Sequence, residues 1–367
     1  MKKILVNAIP MTVVGTGVGR YLRGLYGTLE KKFSDRLEIS YFTGKEIIRN
    51  IPNSEGPGWK ETLGRVLWRM PFPVAFGARL ISHLPVEKRF RALSHDFHVY
   101  HEAAYFPFKA AGVKNLFTIH DLSLLRYPQW HPRERVLYWR TFFQRRLGLV
   151  DSFCAVSAFT KQEMVEYLKI DPELIRVTPL GVDAGIFNPV HDEEAQTFIE
   201  CAGVPKKFIF FVGSGDPRKN IDALVKAVGE TKCRLPLVTA GWSGWSTGHE
   251  KGIIKMGYVS DRVLAQLYRK ALMMVMPSEY EGFGLPVVEA MACGCPVVIS
   301  RAVALREVGG DAVVSVENVH DSKLFSSAID ELACSREMRM QLSDLGLERA
   351  VSFNWQDTAS KTAKEFL

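Results

Sequence analysis

Short, almost wholly apolar runs recur along this chain, and most lead into a turn-rich loop and then a helical pattern. Lys3–Ala8 precedes Gly15-Thr-Gly-Val-Gly19 and the amphipathic stretch Tyr21–Leu29. Phe208–Gly213 precedes Ser214-Gly-Asp-Pro-Arg-Lys-Asn220 and a helix expected over Ile221–Val228. Leu116–His120, Ser152–Val156, Leu235–Ala240, Met273–Met276 and Pro296–Ser300 are further runs of the same kind. A strand apolar on both sides needs cover on both faces, and strands alternating with helices supply it as parallel sheets. The expected fold is α/β, with two Rossmann-like domains facing across a cleft.

The segment Pro179–Pro189, rich in Gly, Pro and Asn, is the expected linker. It divides the chain into residues 1–185 and 186–350, and a tail, 351–367, in which Ser352–Thr358 reads as a break before a last helix. That helix is expected to cross back to the N-terminal domain. A length of 367 residues fits two to three domains, and 47% apolar with 24% charged residues provides for an ordinary core. Met1-Lys-Lys runs directly into the first strand, so no signal peptide is expected. No window approaches the roughly 18 apolar residues of a spanning helix. The six cysteines form no C-x-x-C pair and read as reduced, buried residues of a cytoplasmic protein.

Charge is unevenly placed. Residues 1–185 carry 27 basic and 17 acidic side chains, and residues 186–367 carry 20 and 23. A basic first half points to an anionic partner, for which phospholipid head groups, a lipid-linked phosphate and nucleic acid all qualify.

Four loops carry the candidate chemistry. In Ser278–Glu289, Pro286 suits a helix start, so Gly282, Phe283, Gly284 and Leu285 would offer backbone N–H groups to an anion at a positive helix end. Glu281 before that helix and Glu289, expected in its first turn, can accept from vicinal sugar hydroxyls; a plain dipole-favouring role is the alternative for Glu289. Arg218 and Lys219 follow the strand Phe208–Gly213 and can neutralise a departing diphosphate, or simply form a solvated turn. Gly15–Gly19 fails the dinucleotide fingerprint because Arg20 stands at the third glycine position, yet Gly17 allows close approach. His120-Asp121 closes the strand from Leu116. No D-x-D, H-E-x-x-H, zinc spacing, Walker loop or G-x-S-x-G occurs, so no metal site is expected.

These residues resemble the retaining glycosyltransferases of family 4, which have the GT-B fold. Glu281-Gly-Phe-Gly-Leu-Pro-Val-Val-Glu289 matches the family's E-x(7)-E motif. Thr118–Pro128, Val156–Thr160, Pro179–Asp183, Pro217–Asn220 and Gly257–Val259 are similar to bacterial mannosyltransferases of polysaccharide assembly. The resemblance implies that Glu289 binds the nucleotide ribose and that Glu281, with the Phe283–Leu285 backbone, binds the donor sugar. Arg218 and Lys219 would hold the diphosphate, Gly17 would lie against it, and the Val259 backbone would read the base. His120 would contact the sugar, with Asp121 beside it. Ser214 replaces an arginine common in the family, and Thr16 replaces a glycine.

The function so implied is retaining transfer of a hexose, mannose from GDP-mannose, to a saccharide or lipid-linked acceptor, with no cofactor and no nucleic acid partner. A GT-B epimerase, a phosphorylase and a non-catalytic nucleotide-binding scaffold are the alternatives. Within Gly56–Leu93, Trp59, Leu67, Trp68, Met70, Phe72, Val74 and Phe76 interleave with Lys60, Arg65, Arg69, Arg79, Lys88, Arg89 and Arg91. With Pro71 and Pro73 as breaks, the segment is expected to form two short amphipathic helices. Such a surface suits an anionic membrane at the inner face of the cytoplasmic membrane, or packing into the first domain.

Overall fold

The computed structural model describes residues 1–13, 17–53, 72–241 and 252–367. The chain forms two compact units, Met1–Gly181 with Trp355–Leu367, and Val182–Asn354. It therefore passes between them twice, at Gly181–Val182 and at Asn354–Trp355.

The first unit holds strands β1 (Lys2–Asn7), β2 (Leu37–Phe42), β3 (Ile47–Ile48), β4 (Val99–Glu102), β5 (Lys114–Ile119), β6 (Ser152–Ala155) and β7 (Ile175–Val177). They lie in the order β3-β2-β1-β4-β5-β6-β7, parallel except for β3 against β2. Its helices are α1 (Gly17–Lys32), α2 (Phe72–Leu93), α3 (Ser123–Arg126), α4 (Arg133–Leu147) and α5 (Ala158–Leu168). The second unit holds β8 (Ile209–Val212), β9 (Leu237–Ala240), β10 (Ile253–Lys255), β11 (Met273–Met276), β12 (Val297–Ser300) and β13 (Val314–Val316), ordered β10-β9-β8-β11-β12-β13. Its helices are α6 (Glu193–Cys201), α7 (Ile221–Glu230), α8 (Asp261–Lys270), α9 (Leu285–Ala292), α10 (Val303–Gly309), α11 (Ser322–Cys334) and α12 (Arg336–Ala350). The last helix, α13 (Trp355–Phe366), belongs to the first unit.

Both sheets show the doubly wound order, in which strand succession reverses at one point: between β1 and β4, and between β8 and β11. Ile4, Leu5 and Val6, like Met273, Val275, Val297 and Val298, have no exposed surface, as parallel strands covered on both faces require. Local signals fix the helix ends. Ser157 caps α5 by accepting from Thr160 N at 3.0 Å, and the helix stops where Lys169 turns left-handed at φ 57°.

The return of α13 onto α1 depends on a missing side chain. A Cβ on Gly24 would lie 2.2 Å from Cε2 of Trp355, so α1 carries a glycine where the indole lies against it. Thr358 Oγ1 also donates to the Pro179 carbonyl at 2.6 Å.

Two expectations need correction. Residues 72–93 form one 22-residue helix, α2, and not two short pieces, with Pro73 second among its described residues; the piece expected before Pro71 lies outside the described residues. Pro85 lies within α2 on its exposed face beside Ile81 and Leu84, where water can reach the Ile81 carbonyl that proline leaves without a donor. Trp59, Lys60, Arg65, Leu67, Trp68, Arg69, Met70 and Pro71 lie outside the described residues. The cysteines are not uniformly buried: Cys154, Cys293 and Cys295 are, whereas Cys201 and Cys334 are exposed on the last turn of their helices.

Candidate active site

In doubly wound sheets the crevice at the reversal point, beyond the carboxyl ends of the strands, receives ligands. In the second unit the loops following β8 and β11 meet there. Asp216 caps the single turn Pro217–Lys219, accepting from Arg218 N at 3.2 Å and from Arg218 Nε at 3.2 Å. Arg218 Nη1 then donates to Glu281 Oε2 at 3.1 Å, and Lys219 Nζ donates to Glu281 Oε1 at 2.5 Å. Glu279 N donates to the Arg218 carbonyl at 2.8 Å, which joins the two loops through the backbone as well.

Lys219 and Glu281 are both buried. Burial depresses the Lys219 ammonium below its ordinary value, opposed by Glu281. Burial alone would raise Glu281, but Lys219 and Arg218 overcome it and hold the carboxyl below the usual range. The cluster thus keeps two cations and a carboxylate in one partly desolvated place.

Beside it, α9 begins at Leu285, not at Pro286, which is its second residue. Gly284 precedes it at φ 104°, and a Cβ there would lie 2.5 Å from Leu305 Cδ2, so both conformation and space call for glycine. Gly282, Phe283 and Gly284 are buried at the positive end of this helix, and Phe283 packs edge-on against Phe353 with ring centroids 5.7 Å apart. Glu289 is not in the first turn: with the helix starting at Leu285 it is the fifth helical residue, 2% exposed, where Tyr268 Oη donates to its Oε2 at 3.3 Å. A buried carboxylate one turn into the helix is no simple dipole-favouring charge.

Ser214 follows Gly213 at the end of β8, where Gly213 N donates to the Ala240 carbonyl at 3.0 Å. Val259 lies between β10 and α8, and its turn is tied to the same edge because Gly241 N donates to the Gly257 carbonyl at 2.7 Å.

In the first unit, His120 directly follows β5. Its ring meets Tyr21 edge-on at 4.9 Å, and its buried Nε2 has no hydrogen-bond partner among the described residues. Burial lowers its pKa to about 4 against the opposing pull of Asp121 and the Ala103 carbonyl, so the ring is neutral near pH 7. Asp121 Oδ1 accepts from Ser123 N at 2.9 Å. Gly17 is the first residue of α1, and a Cβ on it would meet nothing within 4 Å among the described residues. Gly15 and Thr16 lie outside the described residues.

Two residues absent from the sequence reading occupy the reversal point of this unit. Asn7 at the end of β1 donates from Nδ2 to both oxygens of Glu102 at the end of β4, at 3.0 and 2.8 Å. Glu102 also accepts from Ala103 N at 3.1 Å, Ala104 N at 2.7 Å and the Tyr100 hydroxyl. Burial pushes it up to about pKa 7 despite these donors. Its signal was the polar pair His101-Glu102 ending an otherwise apolar strand.

The structure therefore brings Arg218, Lys219 and Glu281 into contact and gives Glu289 a separate partner in Tyr268. Among the described residues, no cluster of three or more His, Cys, Asp or Glu is placed to hold a metal.

Residues 16–185 match the family model described as Glycosyltransferase Family 4, and residues 192–349 match the one described as Glycosyl transferases group 1. The chain belongs to glycosyltransferase family 4. Among this family 4 enzyme's relatives is O-antigen chain mannosyltransferase B of Escherichia coli, 29% identical over 99% of both chains. MMP alpha-(1->4)-mannosyltransferase of Mycolicibacterium hassiacum is 33% identical over 64% of this chain and 59% of its own. In fold, it is similar to sucrose-phosphate synthase from Thermosynechococcus elongatus, with TM-score 0.76 and 20% identity over 99% of this chain and 98% of the other. WaaG, a glycosyltransferase involved in lipopolysaccharide biosynthesis, aligns with TM-score 0.71 and 12% identity over 99% of both chains. The fold is thus GT-B, as the E-x(7)-E resemblance implied.

Proposed function

We propose that this family 4 enzyme transfers mannose from GDP-mannose to a saccharide or lipid-linked saccharide acceptor in cell-surface polysaccharide synthesis, with retained anomeric configuration. The observation that carries the chemistry is the convergence of Arg218 and Lys219 on Glu281 at the reversal point beside the N-terminus of α9. Cations and helix-end N–H groups stabilise the charge that develops on a departing diphosphate, while a carboxylate accepts from sugar hydroxyls. In this reading Glu281 exchanges part of its ion pairing for donor hydroxyls, which leaves Arg218 and Lys219 to the diphosphate. Glu289 takes the ribose, Ser214 and the Gly282–Leu285 backbone line the donor, and the Val259 backbone meets the base. Gly17 gives the diphosphate room, and neutral His120, flanked by Asp121, hydrogen-bonds the donor sugar. The transition state is oxocarbenium-like, as in glycoside hydrolysis.

The relatives' names support mannose as the sugar. The reaction runs without a metal in this reading, because the cationic loop does the work of a metal bridged to the diphosphate; turnover lost on chelation and restored by manganese or magnesium would contradict it. No helix among the described residues is long and apolar enough to cross a membrane. A peripheral site at the inner face of the cytoplasmic membrane is supported by α2, which exposes Val74, Ile81 and Leu84 in line with Lys88 and Arg91. Sedimentation with anionic vesicles at low and high salt tests it; absence of binding at low salt removes it.

The deciding experiment is a panel of nucleotide sugars, read by thermal stability and turnover. GDP-mannose at about 100 times its dissociation constant should add about 2.7 kcal/mol. A response to UDP-glucose alone would replace the donor, and release of sugar phosphate without an organic acceptor would make the enzyme a phosphorylase.

A further inference from the structure

The segment after His120-Asp121 carries a stack of side chains that none of the roles above uses. Trp130 lies flat on Tyr127, with centroids 4.2 Å apart and planes 17° from parallel. The Arg126 guanidinium lies over the Tyr127 ring at 5.5 Å and over the Tyr167 ring of α5 at 4.1 Å. Arg126 is held in turn by an ion pair with Glu163, which is buried. The ladder runs Trp130, Tyr127, Arg126, Tyr167, and at its Tyr167 end it joins α5.

Its Trp130 end is tied to Asp121 of the candidate active site through His131 and Ser123. Ser123 N donates to Asp121 Oδ1 at 2.9 Å, and the Ser123 hydroxyl is 3.1 Å from Nε2 of His131, the residue after Trp130. Tyr127 N donates to the Ser123 carbonyl at 2.8 Å. Trp130 is only half-buried, and among the described residues nothing accepts from its indole N–H.

Pyranose rings have an apolar face of C–H groups and an edge of hydroxyls. A rigid aromatic face with a carboxylate and an indole N–H nearby is complementary to both, and a pre-set ladder lowers the ordering cost of binding. We propose that Trp130, backed by Tyr127, is the platform for a hexopyranose ring of the saccharide acceptor, with Asp121 accepting from its hydroxyls. This rests on the glycosyl-transfer reading above and adds the subsite that reading lacks.

Two measurements on the full chain test it. In steady-state kinetics with GDP-mannose and an α-linked mannotriose acceptor, Trp130→Ala should raise the acceptor KM about tenfold or more, with the GDP-mannose KM and the melting temperature unchanged. Trp130→Tyr, which keeps a flat ring, should restore most of the acceptor affinity. An unchanged acceptor KM in Trp130→Ala, or equal losses in donor KM and melting temperature, would overturn the proposal and leave a purely structural stack. The second measurement is saturation-transfer NMR with mannotriose, methyl α-mannoside and maltotriose, without any nucleotide sugar. Transfer to a C–H face that disappears in Trp130→Ala supports the platform even if GDP-mannose proves the wrong donor. Absence of transfer from the unaltered chain to all three sugars overturns it.

Discussion

Lys219 Nζ lies 2.5 Å from Glu281 Oε1, with both side chains buried. Two charges removed from water are retained only where the geometry is good and further partners exist, and Arg218 is that further partner. Lys219→Ala should slow turnover about 100- to 1,000-fold. Because Arg218 still faces Glu281, the folding cost should stay at about 1–3 kcal/mol. Near-normal turnover of Lys219→Ala on a confirmed donor would remove this lysine from the leaving-group role.

Glu289 and Glu281 should separate in binding measurements. Glu289→Gln should weaken free nucleoside diphosphate about tenfold or more, as loss of a charge-assisted hydrogen bond to ribose predicts. Glu281→Gln should leave that affinity far less altered and instead reduce discrimination between epimeric donor sugars. Calorimetry with GDP on both variants checks this, and equal losses would contradict the division of labour.

Glu102 should imprint a pH dependence on stability. Its pKa is raised from 4.5 to about 7 by burial, so its contribution is fully present below about pH 4.5 and is lost as pH rises through 7. The groups facing it are Asn7, the Tyr100 hydroxyl and the Ala103 and Ala104 amides, with His101 next in β4. At about 1.4 kcal/mol per pKa unit the change amounts to roughly 3 kcal/mol. Urea unfolding of the parent chain and Glu102→Gln between pH 4.5 and 8 should show the parent losing its relative stability as pH rises. A constant difference across that range would show that Glu102 does not titrate there.

Gly284→Ala should cost about 1–3 kcal/mol, from its left-handed backbone and from collision with Leu305. Because the strained residue opens α9, donor affinity should fall by more than the melting temperature implies. Full donor affinity in a folded Gly284→Ala variant would show that the helix end does not position the ligand.

The buried strands were legible because β8, β11 and β12 are apolar on both faces, a pattern that needs little context. β4 was not, since Val99-Tyr-His-Glu102 puts two ionisable residues in a central strand, and only the fold supplies their partners Asn7, Tyr26 and Thr118. The cationic and acidic loops were readable as separate motifs, but sequence spacing says nothing of how far Arg218 lies from Glu281. Glu289 lies one residue deeper in its helix than a start at Pro286 predicts, because the left-handed Gly284 sets the start at Leu285. The Trp130 ladder passed unnoticed because Tyr167 comes from another helix.

Gly24 and Trp355 finally bear on the order in which the protein is made. Domains generally fold as units while the chain emerges from the ribosome, the earlier one first. Here the surface of α1 around Gly24 stays uncovered until Trp355 arrives, after the whole of Val182–Asn354 has been synthesised. The second unit is one uninterrupted stretch and can close on itself, so the half begun first is the half completed last. Released chains truncated after Asn354 should accordingly protect the second unit from protease while leaving α1 open to it.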